Sequence, residues 1–424
     1  MKIKISNLIE IGIVICCFLM LGFTLLPTRE VIGYYTARTL VVIFSILSAT
    51  YILSITRNDM NFSPIRKILN RYFGIYSLIL LFSFSFSLIS YHYSFGDLFK
   101  IVTPYLYAYM AYAIAYVFYR KKGMERVMTR ISYLVMLILL FKAIAWFKYN
   151  FQGTIVFERL LFEYDKWFRN GLQRVNAGYL VGIATVFLFC RCIGTVKSLF
   201  SKLCVIFIIF FLAWVSAYRF QLLVTLVTCF VMYYFYQGKN KVVFVRRILL
   251  IVIGVLILMS EPVQQIINSF AANSSGIGYS TLVRFMNIKH YWQILLDKSA
   301  IFGIGFIAKD NSAALTLMEY NGGQIYWLED IGILGGFFRF GLLSFFMYGY
   351  IYKHAISTCL KMNHNNEKQR AIIFGITSYM IVSCLALNIF DGQRAFDVPF
   401  YIAIIAYMEG SFVINRRDRK KRSI

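Results

Sequence analysis

Apolar residues in this chain come in long runs, not in the strict alternation of half-buried strands. Runs of about the length that crosses a hydrocarbon core, roughly 17 to 25 residues, occur at 8–27, 39–56, 72–90, 101–119, 131–147, 176–193, 203–217, 220–236, 247–260, 331–352, 371–390 and 397–414. The pattern predicts an all-α polytopic membrane protein of about twelve transmembrane helices. A single integral membrane domain, 1–424, then accounts for the whole chain. The first run is too long for a signal-peptide core and lacks a small-x-small cleavage site, so it is expected to remain as a signal anchor.

The polar stretches between the runs are short except at 148–175 and 261–330. Long loops on a membrane protein are either functional or disordered. The second is not disordered by composition. Its segment "STLVRFMNIKHYWQILLD" carries Leu282, Phe285, Met286, Trp292, Leu295 and Leu296 at helical spacing, opposite a polar stripe of Arg284, Asn287, Tyr291 and Lys298. The spacing predicts an amphipathic helix on the membrane surface, its polar stripe turned to a cavity or to water.

Composition sharpens this picture. Hydrophobic residues make up 59% and charged residues only 15%, against roughly 25% charged in soluble domains. The formal net charge of +25 would suit a nucleic acid, but its distribution points elsewhere. Basic residues crowd alternate connections: Arg57, Arg66, Lys67 and Arg71; Arg120, Lys121, Lys122, Arg126 and Arg130; Arg191, Lys197 and Lys202; Lys239, Lys241, Arg246 and Arg247; Lys353, Lys361, Lys368 and Arg370. The basic tail at 415–424 continues the series. By the positive-inside rule these connections and both termini are cytoplasmic, so 148–175 and 261–330 are external loops. The surplus is an orientation signal set against anionic lipid, and no nucleic-acid partner is expected. The eight cysteines lie in or beside apolar runs and form neither a disulfide framework nor a zinc spacing.

Against that background a few charged residues stand out. Arg219 interrupts the apolar run in "VSAYRFQLLV". The assigned topology puts it at the external rim of a short turn, where an arginine is either a snorkelling interfacial residue or a fixed cation awaiting an anion. Arg284, Arg339 and Arg394 fall on the same side. Arg339 lies about two turns inside a run and must face the protein interior, because lipid cannot leave it unpaired. Arg394, in "DGQRAFD", has Asp391 and Asp397 as ready structural partners. Several guanidinium groups on one face suggest a phosphate or pyrophosphate site. Asp330, in "YWLEDIGILGG", is either a general base or a helix N-terminal charge. His290 is a second candidate base. Tyr291 and Trp292 suit an interfacial aromatic belt. "GIGF", Gly303 to Phe306, lacks the flanking strand and helix of a dinucleotide fingerprint. Four scattered histidines suggest no metal site, and no cofactor is expected.

"VSAYRFQLLVTL" resembles the Ser-x-x-Arg stretch of the bacterial O-antigen polymerase and ligase superfamily. "RFMNIKHYWQILLDKSAIFGIGF" and "WLEDIGILGGFFRFGLLSFFMYGYIY" resemble the remainder of that signature. The matching residues are Arg284, Trp292, Gly303, Gly305, Asp330, Gly332 and Gly335. The likeness covers about 203–352. Members often carry His-Asn after the Gly-x-Gly; here the segment reads "KDNSAALTLMEYNGGQIYW", which weakens a ligase reading and puts a histidine-based mechanism in doubt. The resemblance implies a polysaccharide polymerase of the Wzy type, with a fold like the C-type glycosyltransferases, in the bacterial cytoplasmic membrane. Such an enzyme moves a growing glycan from undecaprenyl pyrophosphate to a sugar hydroxyl of the next lipid-linked repeat unit. It implies Arg219, Arg284 and Arg339 on the donor pyrophosphate, with Arg394 nearby, Asp330 or His290 on the acceptor hydroxyl, and Tyr291 and Trp292 near sugars. Expected partners are the undecaprenyl pyrophosphate-linked oligosaccharide, membrane lipid and a chain-length regulator. The rival readings are a ligase of the same superfamily and a lipid-linked oligosaccharide flippase or transporter.

Overall fold

The computed structural model describes residues 4–27, 32–163, 168–169, 171–193, 198–236, 277–298, 300–320, 324–362, 366–386 and 388–422. The expected run at 247–260, its flanking connection from 237 and the start of the long loop, to 276, lie outside these. The protein is 77% helical. Among the described residues, strands are confined to two antiparallel hairpins of two residues a side.

The first half is a stack of long helices: α1 (Ile5–Met20), α2 (Tyr34–Ile55), α3 (Ser63–Tyr91), α4 (Phe95–Val102), α5 (Ala111–Lys121) and α6 (Met124–Gln152). A 3-10 segment, Thr103–Met110, joins α4 to α5 into one continuous span. Pro104 explains the change of winding. It has no N–H to return to the carbonyl four residues back, and its ring crowds that carbonyl. Among the described residues, four helical spans are long and apolar enough to cross a membrane: Tyr34–Ile55, Ser63–Tyr91, Phe95–Lys121 and Met124–Gln152. Several other expected crossings are shorter apolar helices, including α1, α8 (Val181–Ile193), α9 (Leu199–Phe210, extended to Val215) and α10 (Arg219–Phe235).

The segment 148–175 is only partly a loop, because α6 runs through Gln152 before Gly153 caps it. It continues as α7 (Glu158–Leu161) and the hairpin β1 (Phe168–Arg169)–β2 (Leu172–Gln173). The described part of the second loop holds α11 (Ile277–Lys298), α12 (Ser312–Met318) and the hairpin β3 (Glu319–Tyr320)–β4 (Gln324–Ile325). The helix expected in "STLVRFMNIKHYWQILLD" is therefore present. Its polar stripe packs on protein: Asn287 and Tyr291 are buried, while Phe285, Trp292 and Leu296 stand exposed.

The run at 331–352 is not one helix. It divides into α13 (Ile333–Phe340) and α14 (Leu343–Lys361) around Gly341. The break is filled by the segment from Ala300 to Gly305. Ile304 N–H donates to Phe338 O at 2.8 Å, Gly305 N–H to Arg339 O at 2.9 Å, and Leu342 N–H to Ala300 O at 3.0 Å. Gly303 and Gly341 both have positive φ, and a Cβ on Gly303 would sit 2.5 Å from Arg339 O and Gly341 N. "GIGF" is thus a backbone wedge in a broken helix. The chain then continues as α15 (Glu367–Ser383) and α16 (Val398–Arg422), so the basic tail prolongs a helix.

The packing sorts these helices. Phe400 to Ala406 of α16 are almost wholly buried, as is most of α5; α3, α5 and α14 pack around α16. Outward faces are apolar: Leu40, Leu47, Leu78, Leu81, Ile89 and Leu140 are exposed. Apolar surface on this scale suits lipid and not water, so the fold is that of an all-α membrane protein.

Candidate functional site

The candidate site grows from the break between α9 and α10. The last turn of α9 loosens to a π turn, Phe211–Val215. There Ser216 N–H returns to Phe211 O at 2.9 Å. Ala217 then adopts a left-handed conformation, φ 50°, and α10 begins at Arg219. The turn leaves the carbonyls of Ser216 and Ala217 facing outward from the negative end of a helix, where cations are favoured.

Two arginines from the 148–175 segment occupy those carbonyls. Arg174 Nε donates to Ser216 O at 2.8 Å and Nη2 to Ala217 O at 3.4 Å; Arg169 Nη1 donates to Ala217 O at 2.6 Å. The Arg174 guanidinium also lies 4.9 Å from the Tyr218 ring centroid, a cation–π contact. Burial, then the charges of Arg169 and Arg219, lowers the Arg174 pKa to about 10, so it stays cationic at neutral pH. Arg169 is lowered by burial first, then by Arg219 and by Arg284 on α11. Arg169 is thus within electrostatic reach of Arg174, Arg219 and Arg284, and the four form a basic cluster. A cluster of this kind is a favourable setting for an anion.

Asp330 stands at the edge of this cluster, in the 3-10 turn Leu328–Ile331 ahead of α13. Its side chain is exposed to solvent. Burial raises its pKa above the usual carboxylate value and Glu329 adds to this, with Arg284 and Arg394 acting in opposition.

Arg394 joins the cluster to a cavity of about 310 Å³, whose walls include Tyr218, Gln221, Gln393, Lys142 and Glu163. Lys142 is buried and satisfied, donating to Glu163 at 3.2 Å and to Asn176 O at 3.0 Å. Arg394 forms no ion pair with Asp391 or Asp397. Asp391 accepts from Arg339 at 3.3 Å, and Asp397 accepts from Leu180 N–H at 2.8 Å.

Arg339 lies elsewhere. It faces the interior as its position requires, held by Glu329 at 2.6 Å, by Asp391, and by the Tyr105 hydroxyl. Two carboxylates balance its charge, and Arg339 ties α13 to Tyr105 and to the 391–397 turn. His290 places Nε2 2.8 Å from Leu317 O and packs against the rings of Tyr291 and Tyr326. Tyr291 is buried, its hydroxyl donating to Tyr326 O at 2.7 Å. Trp292 faces outward beside Phe337 and Phe338. His290 and Tyr291 thus fasten α11 to the loop that follows it, and neither they nor Trp292 line the described cavity. The structure brings Arg219, Arg284, Arg394 and Asp330 into one neighbourhood. It adds Arg169 and Arg174, which the sequence reading passed over. Their signal was present: Asn170-Gly171 between "FR" and "LQR" is a hairpin turn pair.

Among the described residues no cluster of His, Cys, Asp or Glu could hold a metal ion. No family model matches this chain, and no curated protein matches it either.

Proposed function

We propose that this protein is a polysaccharide polymerase of the O-antigen polymerase and ligase superfamily, a multi-pass glycosyltransferase of the bacterial cytoplasmic membrane with both termini cytoplasmic. The observation that carries the reading is the gathering of Arg169, Arg174, Arg219 and Arg284 within electrostatic reach of one another, with the carboxylate of Asp330 in reach of Arg284. A dianionic leaving group is the kind of ligand such a cluster suits. The lipid pyrophosphate of an undecaprenyl-linked glycan carries that charge at the membrane boundary, where these helix ends would lie. About twelve crossings and an external arginine face complete the proposed topology.

In the proposed reaction an acceptor sugar hydroxyl attacks the anomeric carbon of the donor glycan. The new C–O bond forms as the bond to pyrophosphate breaks, and undecaprenyl pyrophosphate leaves with the electron pair. The arginines stabilise the charge growing on the leaving oxygens. Asp330 takes the hydroxyl proton, a role for which a carboxylate pKa raised toward neutrality is suited. His290 is not assigned the proton, because its Nε2 is already engaged at Leu317 O. The neighbouring cavity, with Gln221, Gln393 and Tyr218 on its walls, offers amide and aromatic groups to sugar rings. A chain-length regulator would act on this same growing glycan.

The test is mass spectrometry of undecaprenyl-linked glycans in cells lacking the protein, with an external sugar-modifying reagent reporting the leaflet. Single repeat units accumulating on the outer leaflet are expected. Long lipid-linked chains left unattached would make the protein a ligase, and single units trapped inside would make it a flippase.

A further inference from the structure

We propose that the end of the helical bundle opposite the arginine cluster holds a binding site for the phosphate of an anionic membrane lipid. The site rests on the membrane reading of the chain and not on the proposed reaction. The 29 residues of α6 separate its two ends by about 43 Å at 1.5 Å per residue. At the Met124 end, the first turns of α6, the end of α8, the start of α15 and Tyr407 of α16 enclose a cavity of about 540 Å³. Lys122, Arg126, Thr129, Arg130, Tyr133 and Arg191 stand on its walls.

The local charges do not cancel. Arg130 pairs with Glu10 at 3.2 Å, and Glu125, the carboxylate on the cavity wall, pairs with Lys368 at 3.5 Å. Lys122, Arg126 and Arg191 meet no carboxylate among the described residues, so the cavity keeps a surplus of three cations. Two polar groups on the wall are also unsatisfied. Thr129 is only 5% exposed, and among the described residues its Oγ1 has no hydrogen-bond partner and neither does the buried Nε of Arg191. A buried donor left unmade is costly, and one phosphate could accept from both. The N-terminus of α6 opens here at Gly123 with no side-chain cap, presenting N–H groups and the positive end of the helix dipole.

The lipid is preferred to a soluble phosphate because the cavity continues into apolar surface. Leu137 and Leu140 lie four and seven residues beyond Tyr133, on its face of α6, and both are exposed. A phosphate at Thr129 would set acyl chains along that stripe. Basic pockets between membrane helices bind anionic headgroups in this way.

Native mass spectrometry of the full chain, released from detergent with added phosphatidylglycerol or phosphatidylcholine, tests the site. The protein is expected to retain one phosphatidylglycerol in preference to phosphatidylcholine. Arg126→Gln with Arg191→Gln should lower retention about tenfold or more, the scale of two lost arginine–lipid interactions. Thr129→Val, nearly isosteric, should weaken retention without unfolding the protein and decides the matter if the double variant does not fold. Arg284→Ala, at the other end, should retain the lipid as the wild type does. Equal retention of the two lipids overturns the proposal, as does unchanged retention in Thr129→Val and in a folded double variant. Tight inorganic phosphate binding without phosphatidylglycerol selectivity overturns the lipid assignment and leaves a soluble phosphate site.

Discussion

Arg284 and Arg339 are both arginines in a hydrophobic chain, yet their surroundings give them opposite duties. Arg339 is enclosed by Glu329, Asp391 and Tyr105. Removing it strands two carboxylates, a change that costs about 3–5 kcal/mol for buried pairs. Arg339→Ala is therefore expected to lower the folded yield in the membrane, read by size-exclusion of a fluorescent fusion, before any effect on catalysis can be measured. Arg284 has no ion pair among the described residues. Arg284→Ala should leave thermal stability nearly unchanged and cut glycan transfer by about 10²–10³-fold, the scale of removing one donor from a developing oxyanion. At Asp330, burial and Glu329 favour the protonated form. The acid limb of kcat/KM should accordingly fall above the ordinary carboxylate value of 3.8, with activity rising as pH rises through it. A pH–rate profile of Asp330→Asn checks this: the limb should vanish together with most of the rate. A profile whose acid limb survives the substitution would remove Asp330 from proton transfer.

Among the elements, the broken helix α13–α14 was the least legible in the sequence. Residues 331–352 form a continuous apolar run, and nothing in hydropathy marks Gly341 as a break. The reason lies in a partner about forty residues upstream. Gly303 and Gly305 bring their backbone so close that hydrogen bonds from 304 and 305 reach carbonyls inside the helix. Periodicity records which face is apolar and not which backbone approaches which. Gly303→Ala should be strongly destabilising, because its φ of 71° disfavours a side chain and the new Cβ would meet Arg339 O at 2.5 Å. A thermal-shift measurement should place the variant many degrees below the wild type, whereas an alanine at Gly349, which has open space around it, should not move. Helix α11 was legible as a helix from its spacing, but its polar stripe was expected to face a cavity or water. Its placement against protein follows once the apolar face is given to lipid. Arg219, Arg284 and Arg394 were found because charge is rare in such a chain; Arg169 and Arg174 were missed because, in a loop, a basic residue is unremarked.

For the whole molecule, basic residues gather at both ends of the bundle. At the Met124 end several basic residues are partnered: Lys121 and Arg130 by Glu10, and Lys361 and His354 by Glu409. At the end holding the α9–α10 break, Arg169, Arg174, Arg219 and Arg284 gather with Asp330 close by. The proposed reaction places a lipid pyrophosphate among these arginines. The most direct measurement reconstitutes the purified protein in liposomes with a single undecaprenyl pyrophosphate-linked repeat unit and resolves the lipid-linked products by length. The account predicts a ladder of lengthened glycans, one undecaprenyl pyrophosphate released for each bond formed, and no ladder with Arg284→Ala. Repeat units that stay single with the folded wild-type protein, or a ladder undiminished in Arg284→Ala, would contradict it.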